Sequence, residues 1–128
     1  RQRIGRLAKT GDALLDDRYL TDAEVAQAYA AADWVLLPYR FQRESSGILV
    51  HAAAHDRPVI VSDYGLIGAW TKQYRLGETF AHASVPALAQ AICNATQHTD
   101  WPREGLRQFS AKHSPREFQQ TIVTRWLQ

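Results

Sequence analysis

The residues of this sequence that could do chemistry are concentrated in one short polar segment. Its members that could contact a ligand are Arg43, Glu44, Ser45, Ser46 and Gly47. Arginine pairs with anionic oxygens, carboxylates and hydroxyls bond to polar ligand atoms, and glycine lets the backbone approach closely. A second polar segment, at residues 62–65, adds Asp63 and Gly65. These residue types favour recognition of an anionic, hydroxylated ligand.

Both polar segments follow apolar runs that read as buried strands. Trp34 to Leu37 comes before the first segment, and Val59 to Val61 comes before the second. Such near-continuous apolar runs are typical of parallel strands covered on both faces. The carboxyl ends of parallel strands meet at one edge of a sheet, where ligands bind. A helix that starts there offers free backbone amides to an anion such as phosphate.

The remaining elements complete an alternation of strands and helices. A weak strand is predicted at Ala13 to Leu15 and a short edge strand at Thr79 to Phe80. The fold class is therefore α/β, a partial Rossmann-like parallel sheet with helices on both faces. A complete doubly wound domain has more strands, so we expect one or two further strands upstream of this sequence.

Helix boundaries are marked by capping residues. Thr21 and Glu24 form a predicted capping box, Ser45 or Ser46 can cap the next helix, and Ser84 can cap a later one. A helix from Leu66 to Tyr74 is expected to end by Gly77. The pattern changes after His98, which predicts a partial Rossmann-like domain over residues 1–98 and a helical extension over residues 99–128.

Composition excludes several functional classes. Fifteen basic and thirteen acidic residues give a net charge of +2, which is too small to indicate a nucleic-acid partner. No apolar run is long enough for a transmembrane segment. His51 and His55 lie one helical turn apart, but no third metal ligand accompanies them, so no metal is predicted. The glycines form no dinucleotide fingerprint, and no cofactor is predicted.

The order of these motifs resembles a known family. The motifs are Ala31-Ala32-Asp33, then the apolar run ending at Pro38, then residues 47–50, Arg57-Pro58-Val59-Ile60 and residues 62–65. This series, over about half of the chain, is similar to the nucleotide-sugar-binding half of retaining glycosyltransferases of the GT-B fold, called family four or group one.

The resemblance implies a donor-binding role for a specific set of residues. The family has a glutamate at each end of the loop–helix unit. Aligned on Pro58, these positions fall at Arg43, next to Glu44, and at His51, where the family's glutamate binds the ribose hydroxyls. The implied donor-binding residues are Arg43, Glu44, Ser45, Ser46, Gly47, His51, Asp63 and Gly65, and the catalytic residues are unknown.

The resemblance also implies partners. The ligand would be a nucleoside-diphosphate sugar, and an N-terminal acceptor-binding domain would lie upstream. This part alone would not be active. The expected location is the cytoplasm, where the protein can be peripheral to the membrane.

Two other interpretations remain open from the sequence. The missing glutamates fit a non-catalytic relative that serves as an interaction or scaffold module. A receiver-like signalling domain would use Asp16 and Asp17, but no buried-strand aspartate with matching threonine and lysine follows them. Asp63 could equally cap the helix that follows it.

Overall fold

The computed structural model describes residues 7–41, 46–98, 100–117, 120 and 124. The described strands form one parallel sheet. They are β1 (Val35–Leu37), β2 (Val59–Ser62) and β3 (Gly77–Phe80), in the order β1-β2-β3. Val35 pairs with Val59, and Val59 pairs with Gly77. The predicted parallel pairing of the first two apolar runs is therefore confirmed.

Helices alternate with the strands, as the capping residues predict. They are α1 (Asp22–Ala31), α2 (Gly47–Ala54), α3 (Gly65–Tyr74), α4 (Val85–Gln97) and α5 (Glu104–Lys112). Thr21 and Glu24 form both bonds of the capping box at the start of α1. The Ser84 side chain caps α4 by accepting a hydrogen bond from the amide of Ala87 at 3.2 Å.

The central strand carries the core on both of its faces. Val59 and Val61 point to one side, where they join buried side chains from three helices: Leu49, Ala52, Ala53, Ile67, Leu106 and Phe109. Ile60 points to the other side and packs with Phe80 and with Ala91 and Ala95 of α4. This alternation along β2 places helices on both faces of the sheet and confirms the α/β class.

The predicted strand at residues 13–15 is wrong, and the predicted burial of the first apolar run is wrong at one residue. Residues 13–15 form no strand, and Leu14 is 95% exposed, because an apolar triplet without a neighbouring strand has nothing to pair with. Leu36 is 43% exposed, although the strand was expected to be covered on both faces. Leu36 shares a face with its partner Ile60, and α4 covers that face only over β2 and β3.

The predicted division at residue 98 stays a prediction, and the packing of α5 bears on it. Helix α5 lies beyond that boundary, yet Leu106 and Phe109 are fully buried against α2 and α3. Residues 115–117 are helical after Ser114, and most of the predicted helical extension beyond residue 117 lies outside the described residues. Within the described part of the chain, no helix has the length and apolar character needed to cross a bilayer.

Candidate functional site

The candidate site lies at the carboxyl edge of the sheet. Strand β1 leads through residues 38–46 to the start of α2, and β2 leads through residues 63–64 to the start of α3. Because the strands are parallel, both loops and the turn after β3 emerge at the same edge. The structure therefore brings Ser46, Asp63 and Gly65 to one side of the fold, as the sequence predicts.

Ser46 occupies the N-cap position of α2, but its side chain does not cap the helix. Its hydroxyl instead lies 3.5 Å from the hydroxyl of Tyr39, and the residue is only 3% exposed. The predicted capping role of Ser46 is therefore wrong, because Tyr39 at the end of β1 engages the same oxygen. Ser45, the other capping candidate, lies outside the described residues, as do Arg43 and Glu44.

Asp63 is tied to the turn after β3 rather than to the helix that follows it. Its own amide donates to the carbonyl of Phe80 at 2.9 Å, and its Oδ1 accepts from the amide of His82 at 2.9 Å. The N-cap of α3 is Tyr64, whose side chain makes no capping bond. The alternative interpretation of Asp63 as a helix cap is therefore not what the structure shows.

His82 completes a compact polar group at this edge. Its Nδ1 lies 3.2 Å from Ser62 Oγ, and its ring stacks on Tyr64 at a centroid distance of 4.4 Å. Phe41 approaches the same ring edge-on, at 6.3 Å. The buried Ser62 hydroxyl contacts the imidazole ring of His82, and the Asp63 carboxylate accepts from the backbone amide of the same residue. The result is an aromatic and hydroxyl-bearing surface beside an exposed carboxylate.

Two glycines in the first half of α3, Gly65 and Gly68, have different roles. Gly65 is exposed and has a φ of 69°, a conformation that glycine adopts without steric cost. Gly68 is buried, and a Cβ at its position would lie 2.5 Å from the backbone carbon of Asp63. The first turn of α3 can approach the Asp63 backbone because residue 68 has no side chain.

The remaining predicted residues lie on α2. Gly47 is exposed, and no described residue outside its own helical turn and its chain neighbours lies within 4 Å of a Cβ built on it. His51 is exposed and its ring lies 6.2 Å from that of Tyr29, with the two planes nearly parallel. Burial raises the pKa of the Tyr29 phenol above its usual value. His51 thus contacts α1, and its predicted contact with the ribose stays a prediction.

The sequence interpretation missed His82. In the sequence, His82 shows no metal-ligand spacing with the other histidines. The available signal was its position, two residues after the last residue of β3, where the third strand reaches the same edge. In the described residues, no three histidine, cysteine, aspartate or glutamate side chains are grouped as a metal site.

Parallel strands, connecting helices and a polar carboxyl edge define a Rossmann-like α/β domain. Comparison with known proteins identifies its family: residues 6–98 match the family model described as "Glycosyl transferases group 1". The chain therefore belongs to the group 1 glycosyl transferases. No curated protein matches the chain.

Solved structures extend the likeness to the whole chain. A sucrose-phosphate synthase from Thermosynechococcus elongatus superposes with a TM-score of 0.77 at 22% sequence identity. The superposition covers 98% of this chain and 34% of that one. The chain thus spans about a third of the length of that protein, and at this identity the likeness concerns the fold.

Proposed function

We propose that this chain is the donor-binding part of a glycosyltransferase and binds a nucleoside-diphosphate sugar at the carboxyl edge of its sheet. The observation that carries the proposal is the convergence of two helix starts at this edge, Ser46–Gly47 and Tyr64–Gly65. The N-cap side chain caps neither helix. Uncapped amides at a helix N-terminus favour an anionic group, and a diphosphate is such a group.

The surrounding side chains suit the rest of a nucleotide sugar. The stacked rings of Tyr64 and His82 offer an aromatic surface to a base or a sugar ring, and the exposed carboxylate of Asp63 can accept from hydroxyls. Arg43 and Glu44 lie outside the described residues and stay predicted contacts of the donor. In this arrangement the protein positions the donor and stabilises charge on the departing diphosphate.

Transfer would also need an acceptor site, which we assign to an N-terminal domain outside this chain. The outer edge of β1 supports an upstream partner. In the described part of the chain β1 pairs only with β2, and half-buried Val25 and Tyr29 of α1 line an open apolar groove beside it with exposed Leu36. We therefore expect the chain alone to bind donor without turnover.

Amide-detected NMR titration with UDP, GDP and ADP tests the proposal. One diphosphate should give saturable shifts at residues 46–49, 63–65 and 82. His82→Ala should weaken its binding, because both the stacking and the bond to Ser62 are lost. His82→Phe should retain part of the affinity through stacking alone.

His55 offers a matched control for these variants. Its ring stacks on Tyr29 at 4.8 Å, and its Nδ1 bonds to the carbonyl of His51, away from the carboxyl edge. His55→Phe should leave nucleotide affinity unchanged. Shifts scattered over other surfaces, or equal losses in the position-55 and position-82 variants, would contradict the proposed site.

A non-catalytic interaction module is the second candidate function. It is favoured by His51, which stands where the family has a ribose-binding glutamate and which here contacts Tyr29. This alternative predicts that none of the three diphosphates shifts the carboxyl edge. It also predicts that His51→Glu, alone or combined with Arg43→Glu, creates no nucleotide binding. Gain of binding in these variants would reject it.

A further inference from the structure

A second cleft lies at the opposite, amino edge of the sheet. It has a volume of about 280 Å³ and is formed where residues 33–34 and 56–58 enter β1 and β2, beside the end of α4 and the connector to α5. This edge is opposite to the one that carries Ser46, Asp63 and His82. The cleft is therefore separate from the candidate donor site.

Two tryptophans form the apolar wall of this cleft. The rings of Trp34 and Trp101 meet edge to face, with centroids 5.3 Å apart. Trp34 packs against the core on the α4 side, and the Trp101 indole N–H donates to the carbonyl of Arg75 at 3.0 Å. Both rings are half-buried and held from behind, so they present fixed apolar surfaces to the cleft.

Charged side chains of both signs surround these rings. Asp56 forms an ion pair with Arg107, whose Nε and Nη2 each lie 3.2 Å from one of the Asp56 carboxylate oxygens. In the described part of the chain, no hydrogen bond or ion pair engages the side chains of Asp33, Asp100 or Arg103, which also line the cleft.

Arg57 supplies the second cation. Its Nη2 donates to the carbonyl of Ala30 at 3.0 Å, while its buried Nε has no partner among the described residues. Two carboxylates, Asp33 and Asp100, thus line the same cleft as two guanidinium groups, Arg57 and Arg103, and their formal charges cancel.

This balance selects among ligand chemistries. An anion attracted by the guanidinium groups is repelled by the carboxylates, and the reverse holds for a cation. A neutral polyhydroxyl ligand uses both, because a hydroxyl donates to a carboxylate and accepts from a guanidinium N–H. The tryptophan faces add contact area for the C–H face of a saturated ring.

We propose that this cleft binds a single neutral sugar ring. Its volume lies just below the range of ~300–1,000 Å³ that is usual for small-molecule sites, which suits one hexose unit rather than a whole nucleotide sugar. The bound unit is a free monosaccharide or the exposed end of a glycan, and both present the same ring chemistry. The cleft would then hold a glycan at the edge remote from the donor site.

The test follows the indole N–H signals of the full 128-residue chain by NMR during titration with methyl glycosides of glucose, galactose and mannose, and with N-acetylglucosamine. Inorganic phosphate and methylammonium serve as charged comparators. At least one sugar should shift the Trp34 and Trp101 signals saturably, with millimolar affinity, and neither charged probe should do so as strongly.

Variants of unpaired side chains test the contacts. Asp100→Ala and Arg103→Ala should each weaken the sugar about tenfold, since each removes a charged hydrogen-bond partner. Asp22→Ala and Arg116→Ala remove the same groups at exposed positions outside the cleft and should leave the affinity unchanged. Well-dispersed amide spectra of all four variants confirm that each is folded.

Three outcomes overturn the proposal. No sugar in the panel shifts either indole signal saturably, a charged probe shifts them more strongly than every sugar, or the cleft variants bind as tightly as the controls. Sugar-induced shifts at residues 46, 63 and 82 instead would assign the sugar to the carboxyl edge and reject the cleft. None of these outcomes depends on whether a nucleoside diphosphate binds.

Discussion

The backbone amide of His82 donates a hydrogen bond to the carboxylate of Asp63 at 2.9 Å, and this bond joins the ends of β2 and β3. A second contact joins the same two segments, because the hydroxyl of Ser62 lies 3.2 Å from Nδ1 of His82. The loop after β2 and the turn after β3 are therefore one unit. We expect a substitution in either segment to change the conformation of the other.

The Asp63 bond gives a first prediction. Asp63→Asn keeps an acceptor oxygen for the His82 amide, and we expect it to preserve stability. Asp63→Ala removes the acceptor and should lower the free energy of unfolding by about 0.5–1.5 kcal/mol. Urea denaturation of both variants measures the difference. Equal stability of the two variants would show that the bond contributes nothing to folding.

The tight approach of α3 to the same loop gives a second prediction. A Cβ on Gly68 would lie 2.5 Å from the backbone of Asp63, and main chain cannot move aside as a flexible side chain can. Gly68→Ala should therefore destabilise the protein by about 1–3 kcal/mol and shift the amide signals of residues 63 and 82.

Gly47→Ala is the matched control for that substitution. It also lies in the first half of a helix at the same edge, but its Cβ would meet open space, and its φ is compatible with alanine. Alanine there should be neutral or stabilising by about 0.5–1 kcal/mol. Thermal unfolding of the two variants measures the contrast. A similar loss at both positions would contradict the steric role that we assign to the approach of α3 to Asp63.

The capping box of α1 gives a pH-dependent prediction. Hydrogen bonding to Arg18, and then to the backbone and hydroxyl of Thr21, lowers the pKa of Glu24 from 4.5 to about 2. A lowered folded-state pKa means that the ionised form stabilises the fold. This stabilisation is complete above pH 4.5 and is lost as the pH falls towards 2.

Comparing Glu24→Gln with the parent chain measures this dependence. The variant should be less stable than the parent at pH 7, and the difference between them should shrink between pH 4.5 and 2. Urea denaturation at several pH values follows it. A gap between the two proteins that stays constant over this pH range would contradict the assignment.

The last prediction concerns the boundary at residue 98. Because Leu106 and Phe109 are fully buried, Leu106→Ala should cost about 2–5 kcal/mol, and a chain ending at residue 98 should lose cooperative unfolding. Gln108→Ala, on the exposed side of α5, is the control and should be mild. Cooperative unfolding of residues 1–98 alone would support the predicted division into a domain over residues 1–98 and an extension over residues 99–128.

Strand β2 was predictable because its apolar run reflects real burial, and β1 was predictable from its apolar run although Leu36 is exposed. The start of β3 was not. Gly77 reads as the end of a helix, but it begins the strand, and a Cβ there would lie 1.9 Å from the carbonyl oxygen of Val59. The sequence shows that a glycine is present, and only the three-dimensional neighbour explains why. The residues before it do end α3, with Arg75 in the left-handed conformation at φ 56°.

The candidate site divides in a similar way. Ser46, Asp63 and Gly65 were found because each follows a recognisable strand, and strand ends determine which edge a loop occupies. Their hydrogen-bond partners were not found. Tyr39 and Ser46 meet within the connection between β1 and α2, with their hydroxyls 3.5 Å apart, and His82 reaches Asp63 because β2 and β3 are neighbours in the sheet. Local capping patterns carry no information about such neighbours.

The outer side of β1 has a practical consequence for anyone who purifies this chain. Main-chain amides and carbonyls along that side can form hydrogen bonds with an extended peptide of any sequence. Exposed Leu36 makes the adjoining surface apolar. Aggregation at high concentration would then begin at this strand. Leu36→Lys would reduce this aggregation, because a charged side chain at an edge strand opposes pairing with another chain. The substitution changes no residue of the proposed donor site or of the proposed sugar cleft.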